Sequence, residues 1–166
     1  AMQHVQTRST TSALVLTAVL IALVTLFTMY TKIPVPGIRG YFNVGDVVIM
    51  TSALLLGRKY GAYIGAIGPA LADLFLGYAV FVPITFVVKG IEGYLVGTVY
   101  NNKTTTSALV ATIVGGIVIV AGYFIAEYFV FDPGVAIASI LTNTIQAVMS
   151  VIISIILYAI LRKRLG

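Results

Sequence analysis

Hydrophobic residues fall into six long runs along the chain, and charged residues sit almost entirely in the gaps between them. A membrane-crossing helix needs roughly 20 apolar residues, so runs of this kind predict spans rather than core helices of a soluble domain. The breakers between them place helices at about 11–31, 44–57, 60–78, 83–100, 106–131 and 133–164. From Lys32 to Phe42 the chain carries Pro34, Pro36, Gly37 and Gly40, which cannot continue a helix. Asn43 then suits the N-cap of the second helix, and Asp46, in its first turn, favours the positive helix end. Gly57, Arg58 and Lys59 make a basic turn, Pro69 should bend the third helix, and Pro83 can open the fourth. Asp132 followed by Pro133 gives the sixth helix a cap and a first-turn proline.

Composition agrees with an all-α membrane protein. Of 166 residues, 60% are hydrophobic and 9% charged, whereas soluble domains average about a quarter charged. A soluble fold is not expected, and residues 1–166 are expected to form a single integral membrane domain with six transmembrane helices. The first run lacks a small-residue cleavage site and is expected to be a retained helix. With no cysteine, neither a disulfide framework nor a thiolate metal site is available. The only histidine, His4, lies in a polar tail, so no metal or cofactor is expected.

The net charge of +5 does not point to nucleic acid, because the basic residues cluster at helix ends. Six spans place Arg8, Arg58, Lys59, Lys103, Arg162, Lys163 and Arg164 on one side, with Lys32 and Arg39 opposite. The positive-inside rule makes the first side, and both termini, cytoplasmic. The expected location is the cell membrane, in contact with the lipid bilayer.

Asp73, Lys89, Glu92 and Glu127 break the pattern, since they lie inside apolar runs. Ionisable groups are expensive there and usually face a protein interior or a ligand cavity. The predicted orientation puts Asp46, Asp73, Glu127 and Asp132 toward the outside, so the polar interior should open outward. Lys89 and Glu92, three residues apart, form either a structural ion pair or a pair in which Lys89 binds a substrate oxygen. Ser139, Asn143, Gln146, Ser150 and Ser154 recur at helical spacing on one face of the sixth helix. That stripe either bonds neighbouring helices or, through Asn143 and Gln146, orients a small polar ligand. Tyr123 and Glu127, four apart, suit an interfacial anchor or the wall of a pocket for an aromatic ring. Gly61, Gly65, Gly68, Ala72, Gly93 and Gly97 predict close helix packing. Ala18, Ala22, Thr25 and Met29 share a face of the first helix, suited to packing within the bundle or to docking another membrane subunit.

The stretches from Gly40 to Asp46, Leu54 to Gly61, Gly65 to Tyr78 and Pro83 to Gly93 resemble the substrate-capture subunits (S components) of energy-coupling-factor vitamin importers. The resemblance covers the whole chain and is most specific from about Gly40 to Gly97. It implies a six-helix S-component-like bundle that binds a water-soluble vitamin from outside. It further implies partnership with a transmembrane T subunit and two cytosolic ATPases. By this resemblance Ala18 and Ala22 face the T subunit, and Lys32 to Asn43, with Arg39, Tyr41 and Asn43, forms a lid. The pocket candidates are Lys89, Glu92, Tyr123, Glu127, Asn143 and Gln146. The chain has no phosphate-loop motif, so it is not expected to hydrolyse ATP itself. Within the family it is most similar to the riboflavin-type branch. The ligand this favours is a small heteroaromatic such as vitamin B6 or hydroxymethylpyrimidine, with riboflavin and pantothenate as alternatives. An enzyme is not expected, because no nucleophile, base and metal set is grouped. A channel or self-assembling membrane protein is the rival class, and it would need polar stripes reaching both faces.

Overall fold

The computed structural model of the protein describes residues 10–34, 41–101 and 104–165. Six helices carry most of them: α1 (Thr10–Tyr30), α2 (Gly45–Leu56), α3 (Arg58–Phe75), α4 (Phe81–Val99), α5 (Thr105–Val130) and α6 (Pro133–Leu165). The link between α1 and α2 includes a short antiparallel ribbon, β1 (Lys32–Pro34) and β2 (Tyr41–Asn43), with Lys32 opposite Asn43 and Pro34 opposite Tyr41.

Four helices, α1, α4, α5 and α6, are long and apolar enough to cross a membrane. The other two fall short of that length or apolarity. α2 has 12 residues, which makes about 18 Å of helix against a hydrocarbon core of about 30 Å. α3 has 18 residues, but Arg58, Lys59 and Asp73 dilute its apolar character. α2 is enclosed by the rest of the bundle. Every residue from Gly45 to Leu54 is buried, and α2 meets each of the other five helices. A helix that is apolar all round belongs at the centre of a bundle. On one side of it pack Val24 and Ile64, and on the other Val96, Ala108, Ile119 and Tyr158.

Helices α2 to α6 alternate in direction. Gly93 lies against Gly61 and Gly97 against the backbone of Arg58, while Val96 meets Gly115 and Val88 meets Gly122. At the end of the bundle where α3 starts, the hydroxyls of Tyr100 and Tyr158 are hydrogen-bonded and the Arg162 guanidinium lies 6.0 Å from the Tyr158 ring. Arg58, Lys59 and Arg162 therefore gather at one end, and the entrance of α2 lies at the other. α3 closes at Phe75, three residues before the expected Tyr78. Gly77, at φ +83°, lets its N–H reach the Leu74 carbonyl at 3.2 Å and the Tyr78 N–H reach the Asp73 carbonyl at 2.8 Å. That double bond pattern ends a helix with a left-handed residue, which glycine adopts at no steric cost.

The predicted small-residue faces are where α3 and α4 touch. Their backbones come so close that a Cβ at Gly93 would run into the Gly61 carbonyl oxygen, and one at Gly65 into the Lys89 carbonyl. This contact fixes the backbone that carries Lys89. Gly93→Leu should accordingly destabilise the protein by about 1–3 kcal/mol or more through overpacking. The measurement is the unfolding temperature in detergent, and a variant melting with the wild type would show that α3 and α4 separate without cost.

Candidate functional site

The entrance of α2 is shaped by Asn43, whose Oδ1 accepts the Gly45 N–H at 2.7 Å. The expected N-cap role is corrected by one position: Val44 is the cap, without a side-chain cap bond, and Asn43 acts from the residue before. This turn sets Asp46 at the second position of α2, where it is 1% exposed. Asp46 is the meeting point of three helices. Lys89 Nζ on α4 donates to Asp46 Oδ1 at 2.5 Å, and Gln146 Nε2 on α6 donates to Asp46 Oδ2 at 2.5 Å. From α5, the Tyr123 ring centroid lies 5.5 Å from Lys89 Nζ, within cation–π range. The Tyr123 hydroxyl in turn pairs with Thr85 Oγ1 on α4 at 3.1 Å.

Lys89 and Glu92 were expected to pair, and Glu92 Oε2 does lie 3.4 Å from Lys89 Nζ. The nearer partner is Asp46, which sequence reasoning assigned only to the helix end. Glu92 is wholly buried beside Gly115 of α5, and neither of its oxygens has a hydrogen bond. Glu127 does not join the cluster. It is buried between α5 and α6 and accepts a hydrogen bond from Ser139. The α6 stripe divides: Gln146 and the partly exposed Asn143 border the cluster's level, while Ser150 and Ser154 are fully buried. Ser154 Oγ approaches the Val47 carbonyl at 3.4 Å. Arg39 lies outside the described residues, as does the middle of the expected lid. Tyr41 is described only as backbone in β2.

Two residues of this cluster, Asp46 and Thr85, were not among the sequence candidates. For Asp46 the signal was present, since it is an acid in an otherwise apolar run like Lys89 or Glu92. On α1, Ala18 and Ala22 are exposed, but the expectation that Thr25 shares their face is corrected. Thr25 is buried and donates to the Gly68 carbonyl at 3.0 Å, because a step of three residues turns a helix about 60° off the row. A separate apolar groove of about 630 Å³ runs between α5 and α6, lined by Ile113, Ile117, Val120, Phe124, Ile140 and Val148. No ionisable residue lines it, and its exposed aliphatic rim belongs to the surface that lipid would cover.

A tetrad of Asp46, Lys89, Gln146 and Tyr123 drawn from four helices is suited to holding a small polar ring. The model of the family described as ECF-type riboflavin transporter, S component, matches residues 8–163. The chain belongs to this S-component family. It is 42% identical over 146 residues to a Pyrococcus woesei protein named "Uncharacterized protein in gap 3'region", covering 86% of this chain and 97% of that one. It is also 30% identical over 149 residues to the thiamine precursor transporter HmpT of Lactococcus lactis, covering 89% of this chain and 83% of the relative. This S component is thus a multi-pass membrane protein of a transport family.

The cluster makes an ordering of stabilities. Lys89→Met leaves two buried carboxyls without a cation and should cost about 3–5 kcal/mol, as removal of one partner of a buried pair does. Asp46→Asn leaves Lys89 beside Glu92 and should cost clearly less. Thermal melts of the two variants in detergent test this, and equal losses would contradict the sharing of Lys89 between two carboxyls.

Proposed function

We propose that this S component captures a water-soluble vitamin or precursor at the outer face of the cell membrane for an ECF-type importer. The ligand it suits best is a small heteroaromatic of the hydroxymethylpyrimidine or vitamin B6 type. The observation that carries this reading is the convergence of Asp46, Lys89, Gln146 and Tyr123 at the end of the bundle opposite the basic residues. Amide and charged groups fix the polar edge of a ring, and the Tyr123 ring offers a face to stack on. The similarity to HmpT, a thiamine precursor transporter, supports the same class of ligand. With Arg58, Lys59 and Arg162 on the cytoplasmic side, as the positive-inside rule requires, the cluster faces outward and both termini lie inside.

Transport then depends on a T subunit and two cytosolic ATPases. Ala18 and Ala22, exposed and small, form the docking row on α1, flanked along the helix by exposed Leu14 and Leu26. The segment from Lys32 to Asn43, with Arg39 and Tyr41, acts as the lid. Gentle purification followed by native mass spectrometry tests the reading directly, because a tightly held vitamin is identified by its mass. Recovery of riboflavin would keep the role and change the ligand. Steady solute flux through the lone protein in liposomes would instead make it a channel.

Two mutational outcomes follow. Asn143→Ala should weaken ligand binding about 5- to 150-fold, the loss of one hydrogen bond worth roughly 1–3 kcal/mol, with the melting temperature little changed. Ser154→Ala, about two turns deeper than Gln146, should leave affinity unchanged, and calorimetry showing equal losses for both would reduce the stripe to helix packing. Ala18→Trp or Ala22→Trp should leave ligand binding intact but abolish uptake in cells that carry the other subunits. Normal uptake by both at equal expression would remove the docking row.

A further inference from the structure

The ring that Tyr123 brings to the cluster belongs to α5, yet its orientation is set from α4. Thr85 and Lys89 are four residues apart, so they lie one above the other on a single face of α4. Each is 3% exposed. The Thr85 hydroxyl pairs with the Tyr123 hydroxyl at 3.1 Å, and the Lys89 nitrogen lies over the ring, 5.5 Å from its centroid. Beside this ring α5 is pressed onto α4, since a Cβ at Gly122 would come within 2.8 Å of Val88 Cγ1. That contact fixes the backbone of Tyr123. Its two side-chain torsions are left to other groups.

The two α4 residues restrain different torsions. A tyrosine hydroxyl lies on the long axis of its ring, so the bond to Thr85 fixes where that axis points. Rotation about the axis is opposed by Lys89 against one face. With that face and the hydroxyl both engaged, the opposite face of this partly exposed side chain remains for a ligand. We propose that Thr85 is a positioning residue, an inference that rests on the substrate-capturing role proposed above. It touches no ligand itself, and it holds the Tyr123 ring in the plane on which a ligand stacks. A ring held in place beforehand loses less freedom on binding, which favours affinity. Without Thr85 the buried phenol has to find another hydrogen-bond partner, and the ring follows its hydroxyl out of that plane.

The test uses the full chain in detergent and calorimetry with riboflavin, pyridoxine and 4-amino-5-hydroxymethyl-2-methylpyrimidine, taking the probe that the wild type binds most tightly. Thr85→Val keeps the side-chain shape without the hydroxyl and should weaken binding about 3- to 10-fold, the worth of one neutral hydrogen bond. Thr85→Ser restores the hydroxyl and should recover most of that loss. Tyr123→Phe should show a similar loss, and adding Thr85→Val to it no further one, because both changes remove the same bond. A further loss in the double variant would mean that Thr85 meets the ligand directly, which overturns the proposal. Wild-type affinity in Thr85→Val also overturns it, since the bond would then serve helix packing alone. A ligand-free measurement keeps this apart from the capture role. With tyrosines labelled with carbon-13 at the ring carbon bearing the hydroxyl, the NMR signal missing from Tyr123→Phe belongs to Tyr123. That signal should move in Thr85→Val and hold its place in Thr85→Ser. If Thr85→Val leaves it unmoved, the proposal falls whether or not a ligand binds. Failure of the wild type to bind any of the three probes would overturn the capture role itself, a different result from a signal that does not move.

Discussion

An ammonium group enclosed in an apolar bundle has no water to solvate it, and Lys89, at 3% exposure, is in that position. Its contact with Asp46 at 2.5 Å is what makes the burial tolerable. Much of the architecture serves that contact. The glycine faces of α3 and α4 bring Lys89 to its depth, the Asn43 turn aims Asp46, and Gln146 ties α6 to the same carboxylate. Loosening any of these three would leave a charge in the interior with a poorer partner.

The same arrangement divides the packing from the cluster. α2 and α3 meet through close-packed small residues and fully buried aliphatics such as Ile49 and Ile64. α4, α5 and α6 contribute Lys89, Tyr123 and Gln146 to the cluster and leave Tyr123, Asn143 and Gln146 partly exposed.

The helical order and the punctuation by glycine, proline and Asp132 were legible in the sequence, because apolar runs and breakers act locally. The Asp132 cap shows this directly, with its Oδ1 accepting the Val135 N–H at 3.0 Å. Lys89, Tyr123 and Gln146 were legible as candidates, since a polar group in an apolar run costs too much to be idle. Their common partner was not. Asp46 sits 43 residues from Lys89 and 100 from Gln146, and its place in a first turn offered a sufficient local reason for an acid. Glu127 lies apart from that partner, engaged by a serine across the α5–α6 contact. Pairings that depend on which helices become neighbours are not written in periodicity.

The shortness of α2 bears on how the chain enters a membrane. A helix of 12 residues carrying an acid in its first turn is a poor insertion unit, because it is shorter than the roughly 20 apolar residues a spanning helix needs and a charged group adds to the cost of entering lipid. Lys89 is synthesised more than forty residues later. α2 is therefore expected to wait at the interface or inside the insertion machinery until α4 arrives, and to settle into the centre only when its counter-charge is present. Assembly order is in this way built into the sequence, with the middle of the bundle completed after its walls.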